Sequence, residues 1–139
     1  MTVLLDTDIL IDVGLSREPF FDSSAKVVDL CEKHAINGYI AWHTLSNFYY
    51  LISSSSGKAI TKRFLSDLLK FIEVSPTGKT NAQKALLMDV PDFEDALQIS
   101  AAIECKADFI ITRNTKHYKK SQIKAITPEE FIKSINKLT

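Results

Sequence analysis

The stretch that decides the fold class is VLLDTDIL, residues 3–10. Its apolar start, Val3 to Leu5, predicts a short buried strand, because a brief apolar run that ends at a polar break is typical of a strand inside a sheet. Two acids, Asp6 and Asp8, follow without a spacer. Residues 9–13 then predict a first helical stretch that ends near Gly14. The chain therefore opens with a strand, then a helix, and carries acids at the strand's carboxyl end.

The same alternation of strand and helix continues along the chain. Further strands are predicted at residues 39–41, 73–74, 109–112 and 123–126, and helices at 23–34, 44–52, 60–71, 80–88, 92–104 and from 128 onwards. Ser23-Ser24 is the expected cap of the first long helix, and Thr127, followed by Pro128, is the expected cap of the last one. Asn37-Gly38 predicts a turn, and the serine-rich run 53–57 predicts a loop. Such alternation is typical of a three-layer α/β/α fold with a central, mostly parallel sheet. A length of 139 residues suits one domain, residues 1–139.

The composition is that of an ordinary globular protein, with 45% apolar and 24% charged residues. Lys plus Arg equals Asp plus Glu at 17 each, so any surface for nucleic acid must be local. No signal-like segment and no run of about 18 apolar residues is present, which predicts a cytoplasmic protein with no membrane contact. Cys31 and Cys105 have no metal-type spacing, which suits a reducing compartment.

Acids occur in two groups along the chain. Asp6 and Asp8 follow the first strand, and Asp92, Glu94 and Asp95 open the longest predicted helix. Each group also has a purely structural interpretation, because acids cap helices and are favoured in a first turn. Ligand sites in such sheets lie beyond the carboxyl ends of the strands, which predicts a site among residues 6–8, 43–47 and 112–114.

Asp95 is the acid that most needs a partner. The apolar run 96–103 follows it, and no Lys or Arg lies nearby in sequence. A divalent cation shared with Asp6 would satisfy both carboxylates and remove their mutual repulsion. Oxygen ligands without His or Cys favour Mg²⁺ or Mn²⁺ over zinc.

A polar and basic segment follows the predicted strand at 109–112. Thr112 and Asn114 offer a hydroxyl and an amide oxygen at the strand's end. From Phe109 to Pro128 the chain has no acid, whereas Arg113 and Lys116 begin a run of cations. The segment predicts contacts with phosphates, with Tyr118 available for stacking on a base. A merely solvated basic loop is the plain alternative.

Four motifs together resemble the PIN-domain family. They are VLLDTDIL at 3–10, DFEDALQ at 92–98, ADFIITRN at 107–114 and ITPEEF at 126–131, in the familiar order and over nearly the whole chain. The resemblance implies a PIN-like α/β/α fold, one or two Mg²⁺ or Mn²⁺ ions, and hydrolysis of RNA phosphodiesters. It is nearest to the small stand-alone VapC-like toxins, which implies a cognate antitoxin partner and a homodimer.

The resemblance also assigns the site. Asp6 and Asp95 match family acids, and Thr112 matches the strand-end hydroxyl. Two positions where the family commonly has acids are Asn47 and Asn114 here. Asp92, Glu94 and Asp8 are the candidates to compensate.

The working hypothesis is a metal-dependent ribonuclease. Asp6, Asp95 and Asp92 are the predicted metal ligands, and the catalytic set is Asp6, Asp95, Thr112 and Asn114. Arg113 and Lys116 are the predicted contacts to the RNA backbone.

Three other functions are compatible with parts of the pattern. A PIN domain that has lost catalysis and only binds a partner would explain the two asparagines. A haloacid-dehalogenase-type phosphatase would use Asp6 and Asp8, but it needs a later strand that ends in an acidic pair. A receiver-type signalling domain needs an aspartate after the strand at 73–74, and the chain has none there.

Overall fold

The computed structural model describes residues 1–137 and places a five-stranded parallel sheet at the centre of the molecule. The strands are β1 (Thr2–Leu5), β2 (Asn37–Ile40), β3 (Ile72–Val74), β4 (Phe109–Ile111) and β5 (Lys124–Ile126). The helices are α1 (Thr7–Gly14), α2 (Phe21–Glu32), α3 (Trp42–Ser56), α4 (Lys58–Leu68), α5 (Lys79–Leu86), α6 (Phe93–Glu104) and α7 (Pro128–Lys137). A short 3₁₀ helix, Thr115–Tyr118, links β4 to β5.

The strand order is β3-β2-β1-β4-β5, and every neighbouring pair runs parallel. From β1 the chain builds outward through β2 and β3, and then crosses back to place β4 on the other side of β1. The order therefore reverses between β1 and β4, which is where open parallel sheets hold their ligands. The backbone N–H of Asp6 donates to the carbonyl of Ile111 across this junction at 3.0 Å.

Apolar side chains cover both faces of the sheet. Val3 and Leu5 pack into the core that α1, α2, α3 and α7 close, whereas Leu4 between them packs into the core beneath α6. This alternation follows from the two-residue period of a strand. The predicted three-layer α/β/α arrangement is confirmed, and its sheet is parallel throughout.

Two local predictions, the turn at residues 37–38 and the loop at residues 53–57, are wrong for most of their residues. Residues 37–38 lie inside β2, where Gly38 lets the chain pass close to its neighbours: a Cβ there would lie 2.6 Å from Cys31 Sγ. Residues 53–56 continue helix α3 instead of forming a loop. The hydroxyl of Ser55 donates to the carbonyl of Ile52, which satisfies the serine within the helix.

The predicted cap at Ser23-Ser24 is also wrong. Helix α2 already begins at Phe21, and Ser24 is buried within it. Its hydroxyl donates to Asp12 Oδ2 at 3.0 Å. Thr127, by contrast, caps α7 as predicted, because its hydroxyl accepts from the Glu130 backbone N–H at 3.2 Å.

Within residues 1–137 no helix has both the length and the apolar character needed to cross a membrane.

Candidate functional site

Asp6 lies at the reversal point of the sheet and is 9% exposed. It ends β1 and caps α1, since its Oδ1 accepts from the backbone N–H of Thr7 at 2.8 Å. Gln98 Nε2 donates to the same oxygen at 3.2 Å. On the other oxygen, the hydroxyls of Thr112 and Tyr118 donate at 2.8 and 3.0 Å. A carboxylate has about four acceptor positions, so protein donors occupy all of those on Asp6.

Tyr118 therefore has a different role from the one predicted. It is 3% exposed and points inward at Asp6, so it is not free to stack on a base. Burial raises the pKa of Tyr118 above its ordinary value, and the nearby charge of Asp6 adds to the shift. The phenol thus stays protonated and serves as a donor to the carboxylate.

Asp8 lies two residues after Asp6, in the first turn of α1, and close to the same charged groups. Its Oδ2 accepts from the backbone N–H of Arg113 at 3.0 Å and from Asn114 Nδ2 at 3.2 Å. Its Oδ1 is buried and has no partner within the described chain. Burial, followed by the charge of Asp6, raises the pKa of Asp8 to about 7. A carboxylate held in this way gains from any cation that reaches it.

Helix α6 delivers three more acids to the same place. Asp92 caps the helix, because its Oδ1 accepts from the Glu94 backbone N–H at 2.9 Å. Glu94 Oε1 accepts from Asn47 Nδ2 of α3 at 3.0 Å. Asp95 is 15% exposed, and its Oδ2 lies 3.5 Å from His117 Nδ1. Burial and the neighbouring Asp92 raise the pKa of Asp95. The helix start is thus both capped and strongly acidic.

These acids line one open cleft of about 510 Å³. The side chains around it come from α1, α3, α6 and the segment after β4, and they are Asp6, Thr7, Asp8, Ile11, Asn47, Tyr50, Leu51, Asp92, Glu94, Asp95, Asn114 and His117. The structure therefore brings together every predicted acid and Asn114, although they are up to 108 residues apart in sequence. Thr112 lies beneath the cleft, fully buried, with its hydroxyl between Asp6 and Asp8.

Arg113, a predicted contact to the RNA backbone, is not among the side chains that line the cleft. Its Nε pairs with Asp12 Oδ2 at 2.8 Å, and its guanidinium lies 4.1 Å from the centre of the Phe20 ring. Asp12 is fully buried, so this pair ties β4 to α1 from inside the protein. The side chain of Arg113 is therefore structural, and only its backbone N–H contacts the acidic group, through Asp8.

The basic segment forms a second concavity next to the cleft. It has a volume of about 410 Å³, and its lining includes Lys116, Lys119 and Lys124 but no acid. The 3₁₀ helix separates the two concavities, with His117 facing the acids and Lys116 facing the other side. A negative site thus lies directly beside a positive one.

The carboxylate oxygens at the cleft are ligands of the kind that a hard divalent cation prefers. Five carboxylates face one space, and Asp8 Oδ1 is buried with no hydrogen-bond partner among residues 1–137. Oxygen-rich sites of this kind suit Mg²⁺ or Mn²⁺. As they stand, no three acidic, histidine or cysteine side chains of residues 1–137 are grouped closely enough to hold an ion. The predicted ligands Asp6, Asp92 and Asp95 line the same cleft but are too far apart, as placed here, to coordinate one ion together.

Sequence and structure comparisons define the class of protein. The fold and site are those of a parallel α/β domain with an acidic cleft at the carboxyl edge of its sheet. The sequence matches the profile of the PIN domain family over residues 2–116. This chain belongs to the PIN domain family, and the phosphatase and receiver interpretations are set aside. No curated protein matches the chain.

Solved structures with this fold include VapBC2, VapBC-1 and VapC20. VapBC2 from Rickettsia felis, bound to a DNA fragment from its promoter, is 21% identical with a TM-score of 0.68, over 91% of this chain and 98% of that one. VapBC-1 from nontypeable Haemophilus influenzae is 16% identical with a TM-score of 0.63, over 93% and 99%. VapC20 from Mycobacterium tuberculosis, described as a sarcin-ricin loop cleaving toxin, is 12% identical with a TM-score of 0.62, over 78% and 86%. At these identities the likeness establishes the fold.

Asp8 gives a prediction about stability. Because its pKa rises from 3.8 to about 7 on folding, the folded state holds the Asp8 proton more tightly than the unfolded state. This contribution to stability is complete below pH 4 and is lost as the pH rises through 7. The free energy of unfolding of Asp8→Asn minus that of the wild type is therefore expected to be larger at pH 8 than at pH 5. Urea unfolding at the two pH values, with chelator present, measures this; an equal difference at both would contradict it.

Proposed function

We propose that this chain is a metal-dependent ribonuclease that hydrolyses RNA phosphodiesters, and that it is the toxin of a toxin–antitoxin pair. The observation that carries the proposal is the cleft in which Asp6, Asp8, Asp92, Glu94 and Asp95 face one another at the reversal point of the sheet. Membership of the PIN family and the fold it shares with VapC20, a toxin that cleaves RNA, support it.

Asp6 and Asp95 are proposed to hold a Mg²⁺ or Mn²⁺ ion, with Asp92 beside them. When bound, such an ion polarises a phosphate and lowers the pKa of a water that attacks phosphorus. Thr112 fixes the orientation of Asp6 through its 2.8 Å hydrogen bond. Asn114 Nδ2 donates to Asp8 Oδ2 at 3.2 Å and so fixes the position of that carboxylate. These donors are neutral and keep the negative charge on the carboxylates, and an ion bound to Asp6 would take the place of one of the four donors that now fill its acceptor positions.

Lys116 is proposed to contact the RNA backbone. It lines the concavity on the other side of the 3₁₀ helix from the acidic cleft, and Lys119 and Lys124 extend the positive surface there. Phosphates bound there would lead the strand toward the acids without placing a lysine among them. The basic segment therefore supports a nucleic-acid substrate even though the whole chain is electrically balanced.

A cognate antitoxin and a second copy of the chain are proposed as partners, with the cytoplasm as their location. VapBC2 and VapBC-1 are toxin–antitoxin complexes. Beside the acids, the cleft also exposes apolar side chains, Tyr50 at 75% and Leu51 at 58%, of the kind that protein partners cover. Light scattering on the purified chain tests the homodimer, and a monomer at all concentrations would contradict it.

The products of the reaction test the proposed activity. Attack by water is expected to leave one hydroxyl end and one phosphomonoester end on every cut RNA, and no cyclic phosphate. An RNA panel including tRNA and rRNA fragments, with Mg²⁺, with Mn²⁺ and with chelator, would be analysed by mass spectrometry of the fragment ends. Cyclic phosphate ends, or cleavage that persists in chelator, would contradict the proposal.

A second candidate function is partner binding without catalysis. One observation favours it: all acceptor positions of Asp6 are filled by Thr7, Gln98, Thr112 and Tyr118. An acid satisfied in this way has a structural use even without an ion. If calorimetry finds no Mn²⁺ binding to the wild-type protein, this function replaces the nuclease.

A further inference from the structure

Glu94 is an acid of the cleft that the protein leaves open to an ion. It is exposed, and within residues 1–137 its side chain receives one hydrogen bond, from Asn47 Nδ2 to Oε1 at 3.0 Å. Asp6 and Asp8 are held by more donors than Glu94. Asp92 resembles Glu94 in receiving one hydrogen bond, on the Oδ1 that caps α6.

Asn47 supplies the geometry that makes Glu94 useful. It lies on α3, and its amide reaches across to the first turn of α6, so that it holds the flexible carboxylate over the cleft. A neutral donor at this place adds no positive charge to compete with a cation. The amide thus orients Glu94 toward the space that Asp6 and Asp95 also face.

We infer that Glu94, oriented by Asn47, is a ligand of the divalent cation at this cleft and supplies the carboxylate that α3 itself lacks. The inference rests on the proposed function, because it concerns the same ion. It also explains why an asparagine at position 47 is compatible with a working site: the acid comes from α6 and the amide from α3.

The chain contains a matched control for this pair. At the other end of α6, Asn81 Nδ2 donates to Glu104 Oε2 at 3.1 Å, and Glu104 is likewise exposed. This second pair also links two helices, but Glu104 does not line the acidic cleft. Glu94→Gln and Glu104→Gln therefore remove the same charge from the same kind of contact, and they differ in their distance from the proposed ion.

The test is Mn²⁺ binding measured by calorimetry on the full chain without RNA. We expect Glu94→Gln to weaken binding by at least about tenfold and Glu104→Gln to leave it unchanged. Equal affinity in Glu94→Gln and the wild type would overturn the inference while leaving the proposed function standing. No binding by the wild type would overturn both.

Placing an acid on α3 instead of α6 tests whether Mn²⁺ affinity depends on negative charge at this point of the cleft. Asn47→Glu in the Glu94→Gln background exchanges the two side chains across their 3.0 Å contact. Mn²⁺ affinity is expected to return to within about threefold of the wild type. Affinity that stays as weak as in Glu94→Gln, with an unchanged circular dichroism spectrum, would contradict the inference.

Discussion

Replacing Asp6 with asparagine is expected to lower metal-dependent RNA cleavage by at least about 100-fold while the fold survives. The loss follows because the variant removes a charged oxygen ligand from the ion, and affinity for hard cations depends on ligand charge. Cleavage of the best RNA substrate would be measured with saturating Mn²⁺. Activity within about threefold of the wild type would rule Asp6 out as a catalytic ligand.

The fold survives because asparagine can satisfy the same four neighbours. Its oxygen can accept from the Thr7 N–H and Gln98 Nε2, and its amide can donate to the hydroxyls of Thr112 and Tyr118, which also accept. Neutral bonds replace charged ones, so the free energy of unfolding is expected to fall by no more than about 2 kcal/mol. Urea unfolding distinguishes this from a folding defect.

Asp108→Asn is the matched control. Asp108 lies at the opposite, amino edge of the sheet, just before β4, where its Oδ2 accepts from the Thr2 N–H at 2.9 Å. It therefore carries the same charge in a similar hydrogen bond, away from the cleft. Cleavage by Asp108→Asn is expected to equal that of the wild type.

Replacing Arg113 with alanine is expected to cost about 3–5 kcal/mol in the free energy of unfolding. The side chain is 21% exposed and pairs at 2.8 Å with Asp12, which is fully buried. Without it the Asp12 carboxylate keeps, among residues 1–137, only the hydrogen bond from Ser24. The contact with the Phe20 ring is lost as well. Thermal and urea unfolding both measure the change.

Lys120→Ala supplies the comparison for an exposed pair. Lys120 Nζ also lies 2.8 Å from a carboxylate, that of Asp89, but both side chains are open to solvent. Its removal is expected to leave stability unchanged, because exposed ion pairs contribute little. If Arg113→Ala were no more destabilising than Lys120→Ala, the structural role of Arg113 would be wrong.

Much of the fold could be predicted because local and global signals agree. The apolar run before Asp6 and the run at 109–111 predict strands, and both form them. The cap predicted at Thr127 is likewise present at the start of the last helix. The errors arose where a residue type has two uses. Gly38 permits close packing as well as turns, and Ser55 satisfies its own hydroxyl inside a helix.

The sequence predicted the acids of the candidate site but not the side chains that donate hydrogen bonds to them. Asp6 and Asp95 stood out because each sits beside apolar sequence with no cation near it. Gln98 and Tyr118 gave no comparable signal, since their contacts with Asp6 span 92 and 112 residues. Arg113 was misplaced for the same reason: its partner Asp12 lies 101 residues away, in a helix whose burial the sequence does not specify.

A single cleavage assay can test whether the acidic cleft cuts RNA with the help of a divalent ion. Cleavage of a mixed RNA panel would be followed for the wild type, for Asp95→Asn and for Asp22→Asn, with Mn²⁺ and with chelator. Asp22 is the control, because it is an exposed acid of α2 that pairs with Lys26. With Mn²⁺, the wild type and Asp22→Asn are expected to cleave the RNA and Asp95→Asn is not, and no cleavage is expected in chelator. Cleavage by Asp95→Asn at the wild-type rate would contradict the proposed role of the cleft.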